Sequence, residues 1–87
     1  MKIELFWDFR EAAGTDGRLV SLDMTEAKVL REILAMSPGV AKTEDIAKKI
    51  FGSKRKTNCV GVYVMRLRDK LGRDAIGTIV NIGYRIK

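Results

Sequence analysis

Apolar positions follow two rhythms along this chain of 87 residues, and the change between them falls at Asp23. Ile3 to Trp7 is a short apolar and aromatic run without Gly or Pro, and Phe9 to Ala13 is a second. Arg18 to Leu22 alternates loosely through Leu19 and Val20-Ser21. Runs this short predict strands rather than helices. Gly14-Thr15-Asp16-Gly17 reads as a turn, because its glycines admit the positive φ that tight connections demand. Residues 1–22 are therefore expected to form a small antiparallel meander.

From Asp23 the period becomes helical. Ala27, Leu30, Ile33 and Leu34 recur on one face, which predicts a core-facing helix to about Met36. Asp23 opens it, and Glu26 three positions on completes a variant of the capping box. Ser37-Pro38-Gly39 ends it, since proline lacks a donor and the glycine is expected in the left-handed conformation, and Val40 is expected to form a brief extended bridge. A second helix is capped by Thr43 or starts one residue earlier; Ile46, Ala47, Ile50 and Phe51 face inward, Lys48 and Lys49 outward, and Gly52 closes it. After the basic connector Ser53-Lys54-Arg55-Lys56 comes a third helix, Thr57 to Leu71, which Gly72 terminates. At roughly 100° per residue its Val60, Val64, Leu67 and Leu71 fall on one narrow stripe. Ile76 to Ile86 is rich in β-branched residues with Asn81 and Gly83 near its midpoint, and reads as a hairpin.

The expected class is α+β in a single domain, residues 1–87: an N-terminal sheet over 1–22, three helices over 23–72 and a hairpin over 76–87. No second domain fits this length. That element order is the order of a winged helix-turn-helix preceded by a small antiparallel sheet, in which the second helix crosses a DNA backbone and the third reads the groove.

The third helix carries the candidate chemistry. Opposite its apolar stripe it presents Asn58, Val62, Met65, Arg66 and Asp69, with Gly61 and Arg68 at one edge. Base edges are read by this kind of mixture: Arg or Asn for acceptor and donor pairs, small apolar groups for thymine methyls, and a residue without a side chain where backbone comes close. An amphipathic surface helix with two stray apolar residues is the competing reading of the same stretch.

Charge shifts the balance between the two. The formal net charge is +6, but residues 1–41 carry five Lys/Arg against seven Asp/Glu, whereas residues 42–73 carry ten against three. A block of net +7 favours a polyanionic partner, because each cation that neutralises a phosphate releases a condensed counterion; a solvated basic face is the bland alternative. One cysteine and no histidine leave no intrachain disulfide, no Cys/His zinc set and no imidazole base to activate a serine or Cys59, so an enzyme is the least favoured class and no cofactor or metal is expected. Cys59, one residue ahead of the core stripe, reads as a small packed or half-packed residue. Gly72 and Gly77 have phosphate-loop spacing, but Thr78 stands where that motif requires lysine. Acidic residues near the start break any signal-peptide apolar stretch, and no run reaches membrane-spanning length. The expectation is a soluble, cytoplasmic, nucleoid-associated protein with no membrane partner.

Thr25-Glu26, Val29-Leu30, Pro38, Glu44, Phe51-Gly52, Val60-Gly61-Val62-Tyr63-Val64, Arg66-Leu67-Arg68, Leu71, Thr78 and Gly83-Tyr84-Arg85 together resemble the DNA-binding effector domain of OmpR/PhoB-type response regulators. The match covers nearly the whole chain, and its most specific parts are Arg-Leu-Arg and Gly-Tyr-Arg. The resemblance implies a four-stranded N-terminal sheet, a three-helix bundle and a C-terminal wing that enters the minor groove. It also implies a homodimer, usually head to tail on direct repeats of double-stranded DNA. Arg66 and Arg68 look like the family's phosphate clamps, Thr78 is similar to its hydroxyl contact at the base of the wing, and Phe51 stands where many members have a Trp near the DNA. Asn58, Gly61, Val62, Tyr63 and Met65 occupy positions that meet base edges or flanking phosphates. A core reading competes for Tyr63, on the flank of the buried stripe, and Tyr84 is expected in the core.

Departures from the family limit the transfer. Gly61 and Met65 replace acidic and basic residues that members often carry, so the target sequence does not carry over. Val80 stands where a wing Arg commonly enters the minor groove, so that role is either missing or passes to Arg85 or Lys87. The Ser53–Lys56 connector is shorter than usual; that loop meets the polymerase σ subunit in many activators, so its shortness argues against an RNA polymerase contact here. No receiver domain is present, which leaves a fragment or a free-standing regulator, and Met1-Lys2 directly before the first strand favours the second.

The sequence therefore points to a sequence-specific transcriptional regulator of bacterial or phage origin. Phosphates would be met by Lys48 or Lys49, Lys54, Arg55, Lys56, Arg66 and Arg68, and bases read by Asn58, Val62 and Met65. Two rivals stand beside it: a winged-helix protein-interaction module using the Val62 and Met65 patch, and a non-specific nucleoid-type or single-strand binder. The single-strand reading needs exposed aromatic platforms, whereas Phe6, Trp7, Phe9 and Phe51 read as core or flank.

Overall fold

A computed structural model describes residues 4–5, 11–13 and 19–86, with side chains from Val20 to Ile86. Three short strands, β1 (Glu4–Leu5), β2 (Glu11–Ala13) and β3 (Leu19–Ser21), form an antiparallel sheet in that order, with Glu4 opposite Ala13 and Glu11 opposite Ser21. The expected meander is thus present among the described residues. The described residues supply three of the four strands that the resemblance implied; the 14–17 turn, Phe6, Trp7 and Phe9 lie outside them.

The helix α1 (Met24–Met36) begins on a reciprocal cap: the Asp23 carboxylate accepts from the Glu26 N–H at 2.7 Å, and the Glu26 carboxylate accepts from the Asp23 N–H at 2.9 Å. Such a cap contributes about 1 kcal/mol by satisfying donors that the helix itself cannot. Ser37, in an extended conformation, ends the helix. Gly39 is not left-handed, contrary to expectation, so the stop comes from Ser37 and Pro38. The extended bridge is also one residue later than Val40: β4 is Ala41–Lys42.

The helix α2 (Thr43–Phe51) has Lys42 as N-cap, the second of the two starts considered, and ends on Gly52 at φ 79°, a left-handed position that suits glycine. Its Thr43 caps nothing within the helix; instead the Thr43 N–H and hydroxyl donate to the Ile82 carbonyl at 3.0 and 3.4 Å. The helix α3 (Thr57–Leu71) has the predicted bounds, and Val60, Val64, Leu67 and Leu71 are all buried. They meet Val29, Leu30 and Ile33 of α1 and Ile46 and Ala47 of α2 in one core. Leu34, Ile50 and Phe51, expected inside, are only partly buried at its edge.

The C-terminal hairpin, β5 (Ile76–Ile79) and β6 (Gly83–Ile86), pairs antiparallel, with Thr78 opposite Tyr84, and β4 joins it through Ala41 and Lys42 to give the order β4-β6-β5. Its turn closes with the Ile82 N–H donating to the Ile79 carbonyl at 3.0 Å and Asn81 at φ 63°. That is the third position of a type II turn, which only Gly or Asn accepts readily. Among the described residues no helix is long and apolar enough to cross a membrane.

Candidate nucleic-acid interface

The core stripe of α3 fixes what its other side presents. Asn58, Val62, Met65, Arg66 and Asp69 are all exposed, Val62 by 48% and Met65 by 64%, and no described part of the chain covers them. Two sizeable apolar side chains left in water amid polar ones give the mixed face expected from the sequence. Gly61 is half-buried; a Cβ there would meet only the Tyr84 hydroxyl, at 3.8 Å, so packing does not require glycine.

Two arginine–tyrosine couples flank this face, and they differ. Arg66 lies over the Tyr63 ring at 5.1 Å, and Tyr63 stacks on Phe51 at 5.8 Å. Tyr63 and Phe51 are therefore edge residues, packed against the core on one side and forming a shelf for Arg66 on the other. The other contact of Arg66 is with Asp23 at 3.9 Å, between side chains about half exposed, a pair too long and too wet to hold it. Arg68 is tied down. Its Nε donates to the Ile76 carbonyl at 3.1 Å, its Nη2 donates to the Thr78 hydroxyl at 2.6 Å, and its guanidinium lies 5.8 Å from the centre of the Tyr84 ring.

The connector projects Lys54, Arg55 and Lys56, all exposed, from a tight turn in which the Ser53 hydroxyl accepts from the Arg55 N–H and the Ser53 carbonyl from the Lys56 N–H. Lys48 is exposed on α2; Lys49 is exposed too but reaches back to Glu32 of α1 at 3.1 Å. Tyr84 and Thr78 lie opposite each other on the side of the hairpin that meets Arg68. Strand alternation puts Arg85, next along β6, on the other side. The structure thus groups Phe51, Tyr63 and Arg66, and separately Arg68, Thr78 and Tyr84, while Lys49 and Arg85 turn away from both.

Clefts of about 480 and 520 Å³ lie along the hairpin, the first reaching Thr43 and Thr57 at the starts of α2 and α3, the second Met65, Asp69 and Arg73 on and after α3. Thr78 lines both. Sequence reasoning missed the Thr43–Ile82 contact and Lys70, whose ammonium donates to the buried Glu26 carboxylate at 2.6 Å and to the Ser21 carbonyl at 3.1 Å. The partners of Lys70 lie 44 and 49 residues away, beyond any local signal. The hairpin tip, Val80 and Ile82, is apolar and exposed by 75% and 51%. Cys59 is a half-buried free thiol, as expected.

Residues 17–86 match the family described as "Transcriptional regulatory protein, C terminal". The transcriptional regulatory protein CseB of Streptomyces coelicolor is 34% identical over 73 residues, which is 82% of this chain and 31% of that protein. The swarming motility regulation protein RssB of Serratia marcescens is 28% identical over 74 residues, 83% of this chain and 34% of that protein. The chain thus spans about a third of the length of the curated relatives it matches. Among solved structures, the DNA-binding domain of Bacillus subtilis CssR superposes with a TM-score of 0.74 at 26% identity, covering 99% of this chain and all of that one. The C-terminal domain of the nisin resistance regulator NsrR, a lantibiotic response regulator, gives 0.73 at 28% identity, covering 95% and 96%.

Proposed function

Because the chain belongs to the OmpR/PhoB-type family of transcriptional regulatory protein C-terminal domains, winged-helix DNA-binding modules of response-regulator type, we propose that it reads double-stranded DNA through α3 in the major groove. That family is not one of enzymes, and we assign the chain no catalytic role.

The observation that carries the reading is the bare outer face of α3, where Asn58, Val62 and Met65 stand uncovered between cations. Asn58 has the donor and acceptor to engage adenine, and Val62 and Met65 are suited to thymine methyls. Gly61 lets the helix backbone approach the base edges. Arg66, supported on Tyr63 and Phe51, and the exposed Lys48, Lys54, Arg55 and Lys56 supply phosphate contacts that fix register without reading sequence. Lys49 and Arg85 contribute less, since neither turns toward α3. The short basic connector serves phosphates rather than RNA polymerase, and two copies bind head to tail on direct repeats in the bacterial cytoplasm.

Selection of bound duplexes from a random pool tests this. A defined enriched sequence, present as a direct repeat, is the expected result. Retention of duplexes with no enrichment would instead mark a non-specific binder, and no salt-sensitive retention at all would mark a protein-interaction module.

A further inference from the structure

We infer that Arg68 is a positioning residue that latches the wing to the recognition helix, rather than a cation held out for a phosphate. The inference rests on the DNA-binding reading above and concerns how its parts are held in register. Two donor edges of the guanidinium point inward along β5: Nε to the Ile76 carbonyl at 3.1 Å and Nη2 to the Thr78 hydroxyl at 2.6 Å. Its guanidinium carbon lies over the Tyr84 ring on the neighbouring strand, 5.8 Å from the ring centre. One side chain of α3 thereby grips both strands of the hairpin. Arg66, two residues earlier, makes no comparable bond among the described residues and is exposed where Arg68 is half-buried.

The far end of the hairpin is fastened independently. The Ile82 carbonyl at its turn accepts from both the Thr43 N–H and the Thr43 hydroxyl, at a helix start that has no side-chain cap of its own. The wing is therefore clasped at its base by α3 and at its tip by α2. A planar fork with donors in fixed directions suits this clasp, and lysine, a point charge on a flexible stem, cannot reproduce it.

The test separates a latch from a clamp by salt dependence and by which variants act alike. Arg68→Ala, Arg68→Lys and Thr78→Val are compared with the parent on the enriched duplex, measuring affinity at several salt concentrations, hydroxyl-radical protection beside the wing, and amide exchange of β5 and β6 in the free protein. The latch predicts that all three variants lose several-fold in affinity, lose protection on the wing side and exchange faster in the hairpin. It also predicts that the salt slope stays at the parent value. Retention of affinity and protection in Arg68→Lys would overturn it. So would a fall of about 0.9 in the salt slope for Arg68→Ala, the signature of one fewer neutralised phosphate, with Thr78→Val unaffected. If the parent protected no duplex, the DNA-binding reading would fall, but hairpin exchange would still decide the latch: unchanged exchange in Thr78→Val and Arg68→Lys would refute it.

Discussion

Gly61 sits inside a helix of 15 residues, where glycine costs about 1 kcal/mol relative to alanine. Nothing packed against it requires that cost, since an added methyl would find only ordinary contact with the Tyr84 hydroxyl. On the proposed reading the bare backbone is kept for the DNA. Gly61→Ala should then stabilise the fold by about 0.5 to 1 kcal/mol in urea denaturation while weakening binding to the enriched duplex. Higher stability with unchanged affinity would show that the backbone does not approach the bases there. Gly83 is the opposite case: a Cβ on it would overlap the Ala41 carbonyl where β4 pairs with β6. Gly83→Ala should cost about 1 to 3 kcal/mol, seen as a lowered melting temperature, because two backbones must separate. The two glycines look alike in the sequence; only the neighbour across the strand distinguishes them.

At the scale of elements, α3 is placed by a core stripe and by a part-buried ion pair between the exposed Lys70 and the buried Glu26. Glu26 is 2% exposed and already completes the α1 cap, so Lys70 holds the start of α1, the end of β3 and α3 together. Removing one partner of such a pair costs more than removing both, since the remaining charge is stranded. Lys70→Met should therefore destabilise the domain by about 1 to 3 kcal/mol, and adding Glu26→Gln should recover part of the loss. Additive losses in that double-mutant cycle would show that the pair is not coupled. The bounds of α3 were legible because four aliphatics at helical spacing and a closing glycine define it locally, and the capping box was legible for the same reason. The ties of Lys70, Arg68 and Thr43 were not, because each depends on a partner brought near by the fold. The two-residue strand β4 was displaced by one position because so short a strand has no period to read. The outer face of α3 was legible as a candidate because it is whatever the core stripe leaves over. The residue type of Arg68 fits both a phosphate contact and a tie to the hairpin, and the sequence holds no sign of its bonds to Ile76 and Thr78, on which the proposed latch rests.

For the whole molecule, α2, the connector and α3, the elements that carry the candidate interface, hold eight Lys/Arg against three Asp/Glu, and Lys42 and Arg73 just outside them complete the balance of +7 over residues 42–73. Affinity should accordingly fall steeply with salt, while sequence preference, set by groups without charge, should persist. The most direct test is a mobility-shift series with Arg66→Ala and Met65→Ala on the enriched duplex and its single-base variants, at several salt concentrations. Arg66→Ala should weaken every duplex about alike and reduce the salt slope by about 1. Met65→Ala should leave the slope intact and change discrimination at single base pairs by about 1 to 3 kcal/mol. If both variants instead lost affinity equally on every duplex with the base preference unmoved, α3 would not be reading sequence through its exposed face, and the account would be wrong.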